Sequence, residues 1–215
     1  MRFTKQSIDI PVGNIDERTS IKTTKKKRHS DLLPNNLRCI IAGPSGCGKT
    51  NVLISLIESE HGLKFENLYL YSKTLDQNKY KYLCEMLRSI KEIGCYTFTA
   101  TEDVVEANQM KKNSLIVFDD VINDRGINKT VVRNIFTLGR HCNLDVVYII
   151  QSYTKLDKHL IRDNCNFVIL FRQDDLNLRH VYNDFGVNAD MKFDQFFRPV
   201  LGLLARAFWF CLHFS

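Results

Sequence analysis

Eight consecutive residues, 43–50, have the types and the spacing that bind phosphate. They are Gly-Pro-Ser-Gly-Cys-Gly-Lys-Thr and satisfy the pattern G-x-x-x-x-G-K-[ST] in full. Glycines let such a loop turn tightly with its N–H groups inward, and the following helix presents its positive end to an anion. We expect Lys49 to reach the β- and γ-phosphates of ATP and the Thr50 hydroxyl to ligate Mg²⁺. The predicted nucleotide-binding residues are Gly43, Pro44, Ser45, Gly46, Cys47, Gly48, Lys49 and Thr50.

Two acidic residues end a later apolar run, SLIVFDD at 114–120. Asp119 is predicted to emerge at the carboxyl edge of a sheet, beside the phosphate-binding loop, and to hold the hydration shell of Mg²⁺ there. Asp120 is then the candidate to orient or deprotonate the attacking water. Asp is common after strands, so this pair has functional weight only in combination with the intact loop.

A glutamine ends the next apolar run, DVVYIIQS at 145–152. Gln151 is a candidate to sense the γ-phosphate or to place the water. Taken alone, a polar residue at a strand end has no functional implication, so this hypothesis depends on the two motifs before it.

Apolar runs and helical patterns alternate from Leu37 onward. Strands are predicted at 37–42, 67–72, 95–99, 114–120, 145–152 and 166–171, and helices at 50–59, 78–90, 101–110, 131–139 and 176–186. Strands this apolar are buried on both faces, and their alternation with helices is typical of a parallel sheet. The sequence therefore predicts an α/β fold with a mostly parallel central sheet flanked by helices.

Composition indicates one globular domain with a basic N-terminal arm. The chain has 215 residues, 44% of them apolar, and a net charge of +6. Residues 1–36 hold eight Lys/Arg against four Asp/Glu, so we expect a flexible basic arm at 1–36 and a nearly neutral body. The run KTTKKKRH at 22–29 suits a solvated linker, a nuclear-import signal or a DNA contact. The body is predicted at 37–198, followed by an apolar tail at 199–215 that suits a core helix, a subunit or capsid contact, or an altered sequence.

Cysteine usage and hydropathy indicate an intracellular protein. The seven cysteines include no C-x-x-C pair, which argues against a disulfide framework or a zinc ribbon and favours a reducing compartment. The start lacks the apolar core of a signal peptide, and we expect no membrane span because Arg206 interrupts the most apolar stretch.

The order of these motifs resembles the viral DNA-packaging ATPases of the FtsK–HerA superfamily. The residues that carry the resemblance are the phosphate-binding loop, LIVFDD, LGRHCNLDVVYIIQS and NFVILF, within about 37–185. Similar enzymes occur in poxviruses, other large DNA viruses, virophages and Maverick/Polinton elements. The resemblance implies a P-loop NTPase of the RecA/ASCE type, with an extra strand carrying Gln151 between the strands of the loop and of Asp119.

The same resemblance implies partners and a further catalytic group. It implies a homo-oligomeric ring, expected to be a hexamer, that moves double-stranded DNA into a capsid, with capsid or portal-vertex proteins as partners. It also implies an arginine supplied by the neighbouring subunit, for which Arg140 is the first candidate and Arg162 the second. The expected location is the host nucleus, a cytoplasmic assembly site or the virion. Many relatives have Glu where this chain has Asp120, whose side chain reaches one methylene less far.

Three other functions suit a phosphate-binding loop. A small-substrate kinase would need an arginine-rich lid, and the stretch RQDDLNLRH is too acidic for one. A nucleotide-dependent switch would not need Asp120 and Gln151. A helicase-loader or clamp-loader-like ATPase usually carries an added helical domain, for which little chain remains after residue 185.

Overall fold

The computed structural model describes residues 28–99, 104–121, 129–159, 162–186, 192–193, 195 and 209–213, of which Arg140 and 209–213 are described by their backbone alone. The strands are β1 (Arg38–Ala42), β2 (Asn67–Ser72), β3 (Gly94–Phe98), β4 (Ser114–Asp119), β5 (Leu144–Ile150), β6 (Phe167–Phe171) and β7 (Trp209–His213). The α-helices are α1 (Lys49–Glu58), α2 (Asn78–Arg88), α3 (Lys129–Leu138) and α4 (Asp175–Val181).

All seven strands lie in one sheet, in the order β3-β2-β4-β5-β1-β6-β7. Strands β1 to β6 are parallel, and β7 pairs antiparallel with β6. The predicted fold class is therefore confirmed. Strand β5 lies between β1 and β4, in the place that the resemblance implied for the strand leading to Gln151.

Apolar side chains cover both faces of the sheet, as the sequence pattern predicted. One core cluster joins alternate residues of the strands to α3 and α4, and the other joins the intervening residues to α1 and α2. Strand β1 illustrates this alternation, because Ile40 lies in the first cluster and Ile41 in the second, both fully buried. The core thus fixes the register that sets the positions of the strand ends.

Two predicted elements differ from the structure. Residues 104–110 form turns rather than a helix, because two backbone N–H groups there donate to tyrosines of β2: Val105 to Tyr71 and Lys111 to Tyr69. Residues 101–103 lie outside the described part. The last predicted helix is α-helical only to Val181 and continues as a π-helical turn, Tyr182–Gly186. In the apolar tail, for which a core helix was one of three alternatives, residues 209–213 form a strand.

The packed body begins before the predicted boundary at residue 37. Asp145, fully buried in β5, accepts a hydrogen bond from the Leu37 N–H at 2.8 Å. Its other oxygen lies 3.0 Å from His29 Nε2 and 3.2 Å from Arg28 Nη2. Arg28 Nη1 also donates to the Asn143 carbonyl at 2.8 Å. These contacts hold the chain from Arg28 onward against the sheet, whereas residues 1–27 of the expected arm lie outside the described part.

Candidate active site

The phosphate-binding loop joins the carboxyl end of β1 to the amino end of α1. Its first residue, Gly43, donates its N–H to the Ile150 carbonyl of β5 at 3.1 Å, which fixes the loop to the sheet edge. A Cβ at Gly43 would lie 2.5 Å from Cβ of Phe171, so only glycine fits there. Gly46 and Gly48 have φ values of 76° and 105°, which side-chain-bearing residues rarely adopt. The sequence therefore specifies this backbone shape residue by residue.

Lys49 and the start of α1 make the mouth of the loop electropositive. Lys49 Nζ donates to the carbonyls of Gly43 at 2.7 Å and Pro44 at 2.8 Å, so its ammonium group lies across the loop. Gly48 at the N-cap contributes no capping side chain, and the first turn of α1 contains no acidic residue. The N–H groups of this turn are thus available to an anion, and the helix dipole favours one.

Asp119 ends β4 at the same edge of the sheet, as predicted. Its Oδ2 accepts hydrogen bonds from the Tyr80 hydroxyl at 2.6 Å and from the Ser72 hydroxyl at 3.2 Å. Burial raises the pKa of Asp119 above its ordinary value, while the hydrogen bonds from Tyr80 and Ser72 act to lower it. Burial and the neighbouring carboxylate raise the pKa of Tyr80 far above its ordinary value, so its hydroxyl keeps its proton and remains a donor.

Asp120 and Gln151 meet at this edge. Gln151 Nε2 donates to Asp120 Oδ2 at 3.0 Å, and the Asp120 N–H donates to the Ile149 carbonyl of β5 at 3.0 Å. Asp120 has a φ of 53°, a left-handed conformation in which Asp and Asn are enriched over other side chains. Asp is therefore among the side chains that suit this backbone conformation.

These groups surround one cleft of 430 Å³, a size typical of small-molecule sites. It is lined by Ser45, Gly46, Gly48, Lys49, Thr50, Lys73, Thr74, Gln77, Lys79, Asp119, Asp120, Ile150 and Gln151. The residues from the segment after β2 and from the first turn of α2 line one side of the cleft, and the sequence analysis did not predict them: Lys73, Thr74, Gln77 and Lys79. The sequence did indicate this part of the cleft, because polar residues directly after an apolar strand in a parallel sheet lie at this edge. Nothing in the sequence indicated Tyr80, whose hydroxyl reaches Asp119 only through the docking of α2.

Thr50 and Asp119 fit a magnesium ion. Both residues line the cleft, which brings a hydroxyl and a carboxylate oxygen to one site. Mg²⁺ prefers such oxygen ligands and usually takes few of them from the protein, since water and substrate phosphates supply the rest.

The two candidate arginines differ in position. Arg140 lies in a 3₁₀ turn, Gly139–Cys142, before β5, and the seven residues of β5 separate this turn from Gln151. At ~3.3 Å per residue the separation is roughly 20 Å, so Arg140 cannot serve the cleft of its own chain. Arg162 is buried, paired with Asp184 at 2.8 Å, and stacked on Tyr153. The second candidate thus has its guanidinium engaged by partners within its own chain, and Arg140 stays the first candidate.

Comparison with known proteins identifies the family. A family model described as poxvirus A32 protein matches residues 24–194, well over half of the chain. The chain belongs to the poxvirus A32 protein family. This membership confirms the resemblance drawn from the loop, LIVFDD and the strand that leads to Gln151. No curated protein is significantly similar to the chain.

Solved structures agree on the fold of this A32 family member. The genome packaging NTPase B204 of Sulfolobus turreted icosahedral virus 2, in complex with AMP, is 11% identical and has a TM-score of 0.52, covering 72% of this chain and 84% of that chain. The complex of B204 with ATP-gammaS is 10% identical, with a TM-score of 0.50 and coverage of 72% and 84%. At this identity the likeness shows the fold. Within the described residues of our chain, no helix has the length and apolarity to cross a membrane.

Proposed function

We propose that this chain is an ATPase that drives double-stranded DNA into a viral capsid. The observation that carries the proposal is the convergence of Lys49, Asp119, Asp120 and Gln151 on one cleft beside a complete phosphate-binding loop. Family membership and the fold of B204, a genome packaging NTPase, support it. A protein that only binds nucleotide would not need Asp120 and Gln151, and their hydrogen bond beside the loop supports hydrolysis.

The proposed chemistry follows from the positions of the side chains. The loop N–H groups and Lys49 bind the β- and γ-phosphates, with the ammonium group moving from the loop carbonyls to the phosphate oxygens. Thr50 and Asp119 would hold Mg²⁺, which neutralises charge on the phosphates. Asp120 accepts the proton of the attacking water, and Gln151 fixes the Asp120 carboxylate by the 3.0 Å hydrogen bond.

A ring completes this proposal. Arg140 lies before β5, at the end of the strand opposite to the cleft. An arginine finger at Arg140 therefore requires a neighbouring copy of the chain. We expect a homo-oligomeric ring, a hexamer by resemblance, that contacts DNA mainly through phosphates and docks on capsid or portal-vertex proteins inside the host cell. The basic arm, with eight Lys/Arg against four Asp/Glu in residues 1–36, favours a polyanion such as nucleic acid as a partner.

The test is steady-state ATP hydrolysis with and without long duplex DNA, with the oligomeric state measured by light scattering. We expect DNA to stimulate the wild type, and expect Lys49→Ala and Asp120→Asn to lose at least 100-fold in turnover, on the order of the loss when electrostatic or acid–base groups are removed. Lys91→Ala is the matched control, since Lys91 is exposed and does not line the cleft.

Each result has one interpretation. Turnover that does not respond to DNA would favour a switch or a small-substrate enzyme over a motor. An assembled ring that hydrolyses no ATP would refute the proposal that the chain is an ATPase. Unchanged turnover in Asp120→Asn would refute the assignment of the base.

A further inference from the structure

Tyr80 is the buried group that joins α2 to the carboxylate at the end of β4. It is the third residue of α2 and is only 1% exposed, packed in the core cluster beneath α1 and α2. Its hydroxyl donates to Asp119 Oδ2 at 2.6 Å, and Thr50 lines the same cleft as Asp119. One phenol therefore holds one of the two residues that fit the magnesium ion.

A second donor acts on the same oxygen. Ser72, at the end of β2, donates to Asp119 Oδ2 at 3.2 Å, and its own hydroxyl accepts the Thr74 N–H at 3.1 Å. Both hydrogen bonds end on Oδ2, so the other oxygen of Asp119 is used by neither. A carboxylate held by two donors on one oxygen has a fixed orientation, and its second oxygen has a fixed direction.

We propose that Tyr80 is a positioning residue that orients Asp119 for Mg²⁺ and so sets the magnesium dependence of nucleotide binding. This inference rests on the proposed function and deepens it, since it assigns a task to a residue that the phosphate-binding motifs do not contain. Residues that hydrogen bond to a metal ligand from outside the coordination sphere typically change metal affinity by about 10- to 100-fold when removed.

The variant Tyr80→Phe removes the hydroxyl and keeps the ring that packs in the core. Tyr82→Phe is the matched control. Tyr82 lies two residues further along α2, and its hydroxyl donates to a carboxylate, Glu58 Oε1, at the same distance of 2.6 Å, but the ring is 52% exposed and does not line the cleft. Ser72→Ala removes the second donor to the same oxygen of Asp119.

The experiment measures binding of ATP carrying a fluorescent methylanthraniloyl group on the ribose to the full chain, in EDTA and over a magnesium titration. In EDTA we expect all variants to bind within about twofold of the wild type. The magnesium concentration at half-saturation should rise about 10-fold or more in Tyr80→Phe, and in the same direction in Ser72→Ala, and stay unchanged in Tyr82→Phe.

The outcomes separate this inference from the function on which it rests. An unchanged half-saturation point in Tyr80→Phe, in a wild type that binds the probe, would refute the role of Tyr80 alone. Equal losses in EDTA and in magnesium would also refute it, because they would show a general packing defect. A wild type that binds no probe in either condition would refute the proposed function itself.

Discussion

The contact of Asp145 with Arg28 and His29 gives a sharp prediction for stability. The variant Asp145→Asn keeps the size of the side chain and an oxygen that can accept the Leu37 N–H. It removes the charge that faces His29 Nε2 at 3.0 Å and Arg28 Nη2 at 3.2 Å. His29 Nδ1 already accepts the Lys64 N–H at 3.0 Å, so the ring proton is on Nε2. The amide N–H groups of the new Asn would therefore face the N–H groups of His29 and Arg28, with no acceptor between them.

The magnitude follows from the burial of Asp145 and of its cation, Arg28. Their side chains are 1% and 18% exposed, and His29, which accepts at Nδ1 and donates from Nε2 alone, is 0% exposed. Removing one partner of a buried ion pair costs about 3–5 kcal/mol. The contacts of Asp145 Oδ2 are short but not aligned as hydrogen bonds, and Arg28 is partly exposed. We therefore expect the free energy of unfolding to fall by the lower end of this range, about 3 kcal/mol. For a domain of this size such a loss lowers the Tm by about 6–12 °C.

The assay is urea unfolding followed by circular dichroism, with thermal melts beside it. The matched control is Asp163→Asn, which breaks another Asp–His pair, at 3.1 Å, whose side chains are 44% and 81% exposed. An exposed pair contributes less than about 1 kcal/mol, so the control should shift the Tm by no more than about 4 °C.

A double-mutant cycle completes this test. In a background that carries both Arg28→Ala and His29→Ala, Asp145 is a buried charge without its cation and without the His29 donor, so Asp145→Asn should become neutral or stabilising. Equal destabilisation by Asp145→Asn and Asp163→Asn, or an unchanged effect in the double-alanine background, would show that the buried pair does not hold residues 28 and 29 to the sheet.

Three further predictions concern the cleft. Burial raises the pKa of Asp119 in the folded state, so the contribution of Asp119 to stability is present below its unfolded pKa and is lost as the pH rises through its folded pKa. The variant Asp119→Asn should therefore raise the Tm at neutral pH but not at acidic pH, and it should abolish magnesium-dependent nucleotide binding. Gly48→Ala forces a side chain to a φ of 105° at a cost of about 1–3 kcal/mol, and urea unfolding should show it. Gln151→Glu places a second carboxylate 3.0 Å from Asp120 and should reduce ATP turnover more than Gln151→Ala does.

The sequence was informative wherever function depends on the ends of buried strands. Apolar runs located all six parallel strands within a residue or two, and the common carboxyl edge of a parallel sheet then placed Asp119 and Gln151 beside the loop. The position of β5 between β1 and β4 came from the resemblance, because neither length nor periodicity specifies strand order.

The remaining features depend on contacts between residues far apart in the chain. Tyr80 meets Asp119 only because α2 docks at one angle on the sheet, and Arg28 meets Asp145 across more than 100 residues. The left-handed conformation of Asp120 has no sequence signal beyond Asp itself. Arg162 looked like a free cation because its partner, Asp184, lies in a turn whose π-helical geometry the sequence did not indicate.

The strand order also determines when the site can form during synthesis. Strand β1 carries the phosphate-binding loop and ends at Ala42, but its neighbours in the sheet, β5 and β6, begin at Leu144 and Phe167. At about 5–20 residues per second, the ribosome needs on the order of 5–20 s to make the chain between β1 and β5. Throughout that interval an apolar strand has unpaired edges, a condition that favours aggregation and slow, non-local folding. The loop is thus made before the strands on which its ability to bind a nucleotide depends.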